Sequence, residues 1–234
     1  MKYQGSKNRH AKQILPIILK DRKKGQYFYD LFAGGFNLID KVDSPRVGNE
    51  INRYLISLVK KLQEGWLPDE EITKEQYLEI KNNQDKYSDY LLGYVGYQLT
   101  FSSQWFGSYR RDNIGKRNYS LEAYNNIKKQ APKLKDIELY NLSYDEVPLQ
   151  PNSIIYLDPP YRNTSGYETT KEGFDYNKFY QWCIEKHKEG HKVFISEYWM
   201  PEENFKCIWE KKVNSSLDKN TGGKSATEKL WVVK

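Results

Sequence analysis

The chain is poor in cysteine, with two among 234 residues. Cys183 and Cys207 follow neither a metal-ligand spacing nor a disulfide framework, which argues against a thiolate metal site or a stapled secreted scaffold and fits a reducing compartment. Long apolar runs are also missing. No stretch approaches the ~18 consecutive apolar residues of a membrane span, and the start lacks the apolar core of a signal peptide, so a soluble, cytoplasmic protein is expected. There is no G-x-G-x-x-G pattern for a dinucleotide and no G-x-S-x-G elbow for a serine nucleophile. Histidine is scarce. His187 and His191 lie four apart, but Gly190 between them reads as a helix end and no third ligand is near, so no metal is expected.

What the chain does have is aromatic residues: 20 Tyr, 9 Phe and 6 Trp, against a hydrophobic content of only 38%. Much of the surface must then be polar with amphipathic rings at its edges, which suits stacking on something flat or a tyrosine-rich core. The net charge of +6 and a pI near 9.0 favour a polyanionic partner such as nucleic acid. The length fits one good-sized domain, or one core carrying a small insertion.

Along the chain, MKYQGSKNRHAKQILPIILK reads as a short aromatic and glycine segment, then a helix from about Lys7 with Ser6 as N-cap and a kink or division at Pro16. QYFYDLFAGGFNLIDKV predicts a strand over Tyr27–Leu31, a turn at Gly34 and Gly35, and a helix from Asn37 onward. PRVGNEINRYLISLVKKLQ repeats the pattern, with a short strand near Arg46 and Val47 and a helix whose Leu55, Leu58, Val59 and Leu62 share one face. From Gly65 to about Pro132 no clear strand appears, and the region looks inserted, with a helix-like patch at YLLGYVGYQLTF. Strands resume at IELYNLSYDEVPL, SIIYLDPPY, KVFISEY, FKCIWEKKV and KLWVVK, with a helix at YNKFYQWCIEKHKEG. The polar stretch NSSLDKNTGGKSATE predicts a mobile surface loop. Alternating strands and helices argue for a mostly parallel sheet covered by helices.

Two constellations carry chemistry. DLFAGGFN, between a strand and a helix, reads either as a turn that presents backbone N–H groups to a ligand or as a plain tight turn, and Glu50 closes the next strand either as an acid for ribose hydroxyls or as a solvated loop acid. The second is DPPY. The strand-like run Ile154–Leu157 is stopped by two prolines, which holds Asp158 at the carboxyl end, where open α/β sheets place their ligand crevice. The Asp158 carboxylate and the Pro159 carbonyl form a pair of acceptors suited to an exocyclic amine, and Tyr161 offers a ring to stack on the base bearing it. Drawing the amine hydrogens out of the ring plane localises the nitrogen lone pair toward an electrophile, and the carboxylate stabilises the positive charge that develops.

These motifs in this order, together with KYQGSK at 2–7, NEINRYLI at 49–56 and FISEYWMP at 194–201, resemble the Dam-like DNA adenine-N6 methyltransferases of the alpha group. The resemblance spans almost the whole chain and is weak only across about 65–132. It implies an α/β fold: a three-layer, Rossmann-like methyltransferase sheet formed by 1–64 and 133–234, interrupted by a small, mostly helical target-recognition region at 65–132. It implies site-specific transfer of methyl from S-adenosylmethionine to adenine N6 in double-stranded DNA, with the base flipped out of the duplex. By the same resemblance Tyr3, Lys7, Phe32, Gly34, Gly35, Glu50, Tyr144 and Asp158 hold the cofactor, while Asp158, Pro159 and Tyr161 serve the target adenine. Two positions depart from the family pattern. Phe36 stands where a further glycine is common, and Leu142-Ser143-Tyr144 stands where Gly-Asp-aromatic is common, so the cofactor's adenine amino group is expected to meet Ser143, Asp145 or a carbonyl instead.

DNA contacts are expected from the inserted region, where Trp105, Tyr109, Arg110, Arg111, Asn113, Lys116 and Arg117 combine charge for phosphates with groups for base edges. An ordinary solvated basic loop is the alternative. Also open are another planar amine as substrate (RNA adenine, cytosine N4, a protein amide) and a non-catalytic DNA-binding module on the same fold. A monomer without an obligate protein or membrane partner is expected.

Overall fold

The computed structural model describes residues 1–112, 116–162, 173–214 and 225–234. Five short parallel strands form the centre: β1 (Phe28–Asp30), β2 (Arg46–Asn49), β3 (Ile137–Tyr140), β4 (Ile154–Leu157) and β5 (Lys192–Ser196). Two longer strands, β6 (Phe205–Asn214) and β7 (Ser225–Val233), complete one edge, with β7 antiparallel to both β5 and β6. The order across the seven-stranded sheet is β3-β2-β1-β4-β5-β7-β6. The chain reverses outward from β1 on one side and β4 on the other, which opens a crevice at their carboxyl ends.

Both faces of the sheet are covered, so β1, β2 and β4 are buried along their whole length and read as unbroken runs. Alternation still sorts their side chains between two cores. Phe28, Ile154 and Tyr156 face one; Tyr29, Ile155 and Leu157 face the other. The first core takes Ile14 and Ile18 from α1 (Ala11–Ile18), and Ile56, Leu58, Val59 and Leu62 from α2 (Arg53–Gln63). Leu55 is buried with them on the predicted face of α2.

The region from 65 to 132 holds α3 (Lys74–Asn82), opened by a Thr73–Gln76 capping box, then α4 (Asp89–Gln98) and α5 (Tyr119–Gln130). Its β pairing, among the described residues, is a single bridge between Thr100 and Tyr109. It is not set apart from the sheet: Tyr94, Val95 and Ile127 lie in the first core, and Gln130 Nε2 donates to the Gly35 carbonyl at 3.1 Å. Gln98 exchanges hydrogen bonds with the Lys2 backbone at 2.6 and 3.0 Å, which ties the N-terminal segment down beside the crevice. On the opposite face, α6 (Tyr176–Lys188) supplies Phe179, Tyr180, Trp182 and Cys183 to the second core.

Three local expectations are corrected. The helix predicted from Asn37 is reduced to one 3-10 turn, Ile39–Lys41. Gly34 and Phe36 both take positive φ, and the Asn37 side chain binds the Met1 carbonyl and Ser6 Oγ, so the chain keeps turning. Pro16 does not divide α1, which is preceded by a separate 3-10 turn, Lys7–Arg9, whose cap is Ser6. The polar stretch predicted as loop up to Glu228 is shorter, because Ser225 to Glu228 pair with β6 as the start of β7; residues 215–224 of it lie outside the described residues.

Candidate active site

Four neighbouring strands each deliver an acid at the carboxyl end: Glu50 after β2, Asp30 ending β1, Asp158 after β4 and Glu197 after β5. Local chemistry explains why the chain stops there. At β4 the two prolines withdraw the backbone donors that would continue the ladder. At β1 and β2 the strands run directly into turns that wrap around the acids.

A cavity of about 200 Å³ opens at this edge. Tyr3, Lys7, Phe32, Gly34, Gly35, Glu50, Tyr144 and Asp158 all line it, so every residue assigned to the cofactor from the resemblance meets in one place. The glycine turn sets its depth. Gly34 has φ +49°, and a Cβ added there would stand 2.6 Å from the Tyr3 ring; one added at Gly35 would stand 2.9 Å from Tyr3 Cβ. Phe36, the departure from the family glycine, takes φ 57° at a cost of about 1–2 kcal/mol. Its fully buried ring packs over Gly48, and burial of that size contributes about 1.5–3 kcal/mol, which offsets the strain.

Glu50 is buried, with Oε2 accepting the Gly34 N–H at 2.8 Å and Oε1 the Asn52 N–H at 3.0 Å. Burial pushes its pKa up, opposed by those two hydrogen bonds. Asp30 also lines the cavity. Its Oδ1 is buried with no hydrogen-bond partner among the described residues, and burial, with Asp158 and Glu50 nearby, raises its pKa well above the carboxylate range. Phe32 stacks on Tyr144 at 5.4 Å, and Phe174 stands edge-on to Phe32 at 6.0 Å, which makes a flat aromatic wall. Ser143 joins the lining and donates its hydroxyl to Asp145, which also holds Lys178.

At the other end of the cavity, Lys7 Nζ lies 2.8 Å from Asp158 Oδ1, 3.4 Å from Glu228 Oε1 and 4.6 Å from the centre of the Tyr161 ring. Tyr161 donates its hydroxyl to Glu228, and its ring meets Tyr198 edge-on at 4.6 Å. Burial raises the Asp158 pKa to about 6; Lys7 pulls it down and Glu228 pushes it up. Burial likewise raises Glu197 to about 8, although it accepts the backbone N–H of Arg162 at 3.1 Å and of Tyr198 at 2.7 Å. Glu197 thereby fixes the chain just beyond DPPY. Pro159 is buried, and it is Pro160 that borders the cavity, with its carbonyl taken by the Tyr176 hydroxyl at 2.9 Å.

Asp30, Glu197 and Glu228 were not singled out from sequence. A signal existed for each: Asp30 and Glu197 directly follow buried strand runs, as Asp158 does. Glu228 alternates with Ala226 and Leu230, all three buried.

The residues expected to face DNA are distributed differently from one another. Trp105 stacks on Tyr54 at 4.4 Å and meets Tyr97 and Phe106, and Tyr109 donates its hydroxyl to the Ile72 carbonyl at 2.6 Å, so both help pack the inserted helices. Arg110 lies 3.8 Å over the Tyr119 ring, and Arg117 pairs with Glu122 at 2.7 Å. Arg111 and Lys116 are exposed. Asn113 lies outside the described residues.

A buried carboxylate, a stacking ring and an enclosed aromatic cleft can hold a planar amine against a cationic donor of a small group. A family model described as D12 class N6 adenine-specific DNA methyltransferase matches residues 3–221. Among solved structures, the chain is similar to the rRNA methyltransferase aviRa from Streptomyces viridochromogenes, at 10% identity over 99% of this chain and 86% of that one, with a TM-score of 0.46. It is also similar to a conserved hypothetical protein from Streptococcus pyogenes, at 11% identity over 94% of each chain with a TM-score of 0.40. The yhhF protein of Escherichia coli matches at 12% identity over 97% of this chain and 85% of that one, with a TM-score of 0.38.

Proposed function

Because this chain belongs to the D12 class of N6 adenine-specific DNA methyltransferases, we propose that Asp158 is where its target amine and its cofactor meet. The enzyme transfers a methyl group to adenine N6 in DNA and uses S-adenosylmethionine, which supplies the methyl on a sulfonium centre. The observation that carries the assignment of the site is the shared cavity: the Asp158 carboxylate borders the same space as Glu50, the glycine turn and the Phe32–Tyr144 wall.

The residues fit the cofactor on their own chemistry. Glu50 has lone pairs left after binding two backbone N–H groups, enough to accept from ribose hydroxyls. The Asp30 oxygen without a hydrogen-bond partner among the described residues is left for a polar group of the cofactor. Gly34 and Gly35 let the Tyr3 side chain lie directly against the turn, and a Tyr ring face attracts a cation by roughly 0.5–2 kcal/mol. Phe32 and Tyr144 provide an apolar face for an adenine ring, bordered by Ser143.

At the target, the Asp158 carboxylate at the cavity accepts an N6 hydrogen and turns the lone pair out of the ring plane; the carbonyl of buried Pro159 beside it is the second acceptor this reading requires. The carboxylate then stabilises the positive charge that grows on nitrogen, an interaction stronger in the transition state than before it. Tyr161 stacks on the flipped base and offsets part of the few kcal/mol that unstacking costs. Residues 65–132 act as the target-recognition region, with Arg110, Arg111, Lys116 and Arg117 as its phosphate contacts; these four cations in one short stretch support that reading. Cys183 and Cys207 are both free, which suits the cytoplasm.

Incubation with labelled S-adenosylmethionine and mixed-sequence duplex DNA, followed by digestion to nucleosides and mass analysis, tests the assignment. The expected product is N6-methyladenine, lost by about 10²–10³-fold or more in Asp158→Ala with the circular dichroism spectrum unchanged. Near-normal turnover of that variant would remove Asp158 from the mechanism.

A further inference from the structure

β7 carries Glu228 into the site from the far end of the chain. The residue is 6% exposed, and its Oε1 both stands 3.4 Å from Lys7 Nζ and accepts the Tyr161 hydroxyl. A buried carboxylate costs several kcal/mol in lost hydration, and an apolar residue on the same inward face of β7 would avoid that cost. The position therefore calls for a reason other than stability.

Lys7 supplies one. Its ammonium lies 2.8 Å from Asp158 Oδ1, and with no other anion beside it this pair would be neutral. A neutral pair has little to offer a nitrogen that is becoming positive. With Glu228 as a second anion on the same ammonium, the cluster keeps one net negative charge. Orientation supplies another: the Tyr161 ring is held by its hydroxyl at Glu228 and by its contact with Tyr198, and Lys7 lies against it.

We propose that Glu228 is a positioning residue for methyl transfer: it shares Lys7 with Asp158 and pins the Tyr161 hydroxyl, so that the Lys7–Asp158 pair is not left neutral beside the target amine and the Tyr161 ring stays set for the base. The proposal rests on the reading of Asp158 given above. The groups that face Asp158 are Lys7, Asp30 from β1, Tyr156 from β4, Tyr161, Glu197 beyond β5, and Glu228, and His10, whose pKa burial lowers, faces Glu228 and Lys7. Of these Lys7 is the cation. In Glu228→Gln, Lys7 bears on Asp158 without that competing anion, and Asp158 releases its proton at lower pH.

Single-turnover methylation across pH, with cofactor binding by calorimetry, separates this role from a structural one in wild type, Glu228→Gln and Tyr161→Phe. Glu228→Gln is expected to slow transfer by about 10²-fold, leave KM for DNA and cofactor affinity near wild type, and move the acid limb of the rate profile to lower pH. A wild-type plateau rate, or a slowed variant whose acid limb stays in place, overturns the proposal. Should Glu228→Gln fail to fold, Tyr161→Phe decides: slower transfer at unchanged DNA affinity supports it, and a wild-type rate overturns it. If the wild-type enzyme leaves adenine N6 unmethylated, the functional reading falls and this inference with it; if the wild type methylates and the variants behave like it, this inference falls alone.

Discussion

Lys7 Nζ stands 2.8 Å from Asp158 Oδ1, joining a turn near the start of the chain to the carboxyl end of β4. Lys7 is itself 8% exposed, so the pair is poorly screened by solvent and each member sets the other's ionisation.

The pH dependence of methyl transfer follows from that pair. With Asp158 in its proposed role as a carboxylate and its pKa raised to about 6, the rate is expected to fall about tenfold per pH unit below that value and to level off above it. Lys7 lowers the Asp158 pKa, so Lys7→Met should move the acid limb upward and lose more activity at neutral pH than at alkaline pH. Single-turnover rates on duplex DNA check both. An acid limb that stays put in Lys7→Met would break the link.

Glu197 gives a stability prediction of definite sign. Its pKa rises from 4.5 to about 8 on folding, chiefly through burial, so the folded state binds the extra proton within that window. The resulting stabilisation is fully present below 4.5 and is lost as pH rises through about 8. The slope from this group is at most about 1.4 kcal/mol per pH unit. Urea denaturation across the window should show stability declining toward alkaline pH, with a flatter profile in Glu197→Gln.

The docking of the inserted region on the sheet layer rests on a close helix contact. A Cβ placed on Gly93 of α4 would lie 2.3 Å from the Tyr54 carbonyl oxygen of α2, and backbone cannot yield there as a side-chain tip would. Gly93→Ala is expected to lower stability by about 1–3 kcal/mol despite its better helix propensity. Thermal unfolding measures it, and an unchanged or raised midpoint would show that α2 and α4 separate easily.

Binding to DNA should divide the basic stretch by exposure. Arg111 and Lys116 are exposed, whereas Trp105 and Tyr109 are held in packing. The double variant Arg111→Ala, Lys116→Ala is expected to weaken binding across sequences and to reduce the salt slope by about two. Fluorescence anisotropy at several salt concentrations reads that slope; an unaltered slope would place the phosphate contacts elsewhere.

Much of this protein is written locally. The apolar run Ile154–Leu157 and the prolines after it determine a buried strand that ends on Asp158, because each residue's preference agrees with its neighbours'. The Leu55, Leu58, Val59 and Leu62 face of α2 and the glycine turn over Gly34 and Gly35 are legible for the same reason, and the family motifs add the residues proposed to hold the cofactor, which all line the cavity. Where a local pattern met a tertiary tie it failed, as in the helix predicted from Asn37, whose side chain is engaged by Met1 and Ser6. The tertiary structure decided which charges act together. Glu197 and Glu228 come close to Asp158 because β5 lies next to β4 and β7 next to β5 in the sheet order, and Glu228 reaches Lys7 and Tyr161 because a period-two strand turns it inward. Coulomb coupling and burial depend on distance and surrounding dielectric, and both are set by strand order and register, which no periodicity along the chain encodes.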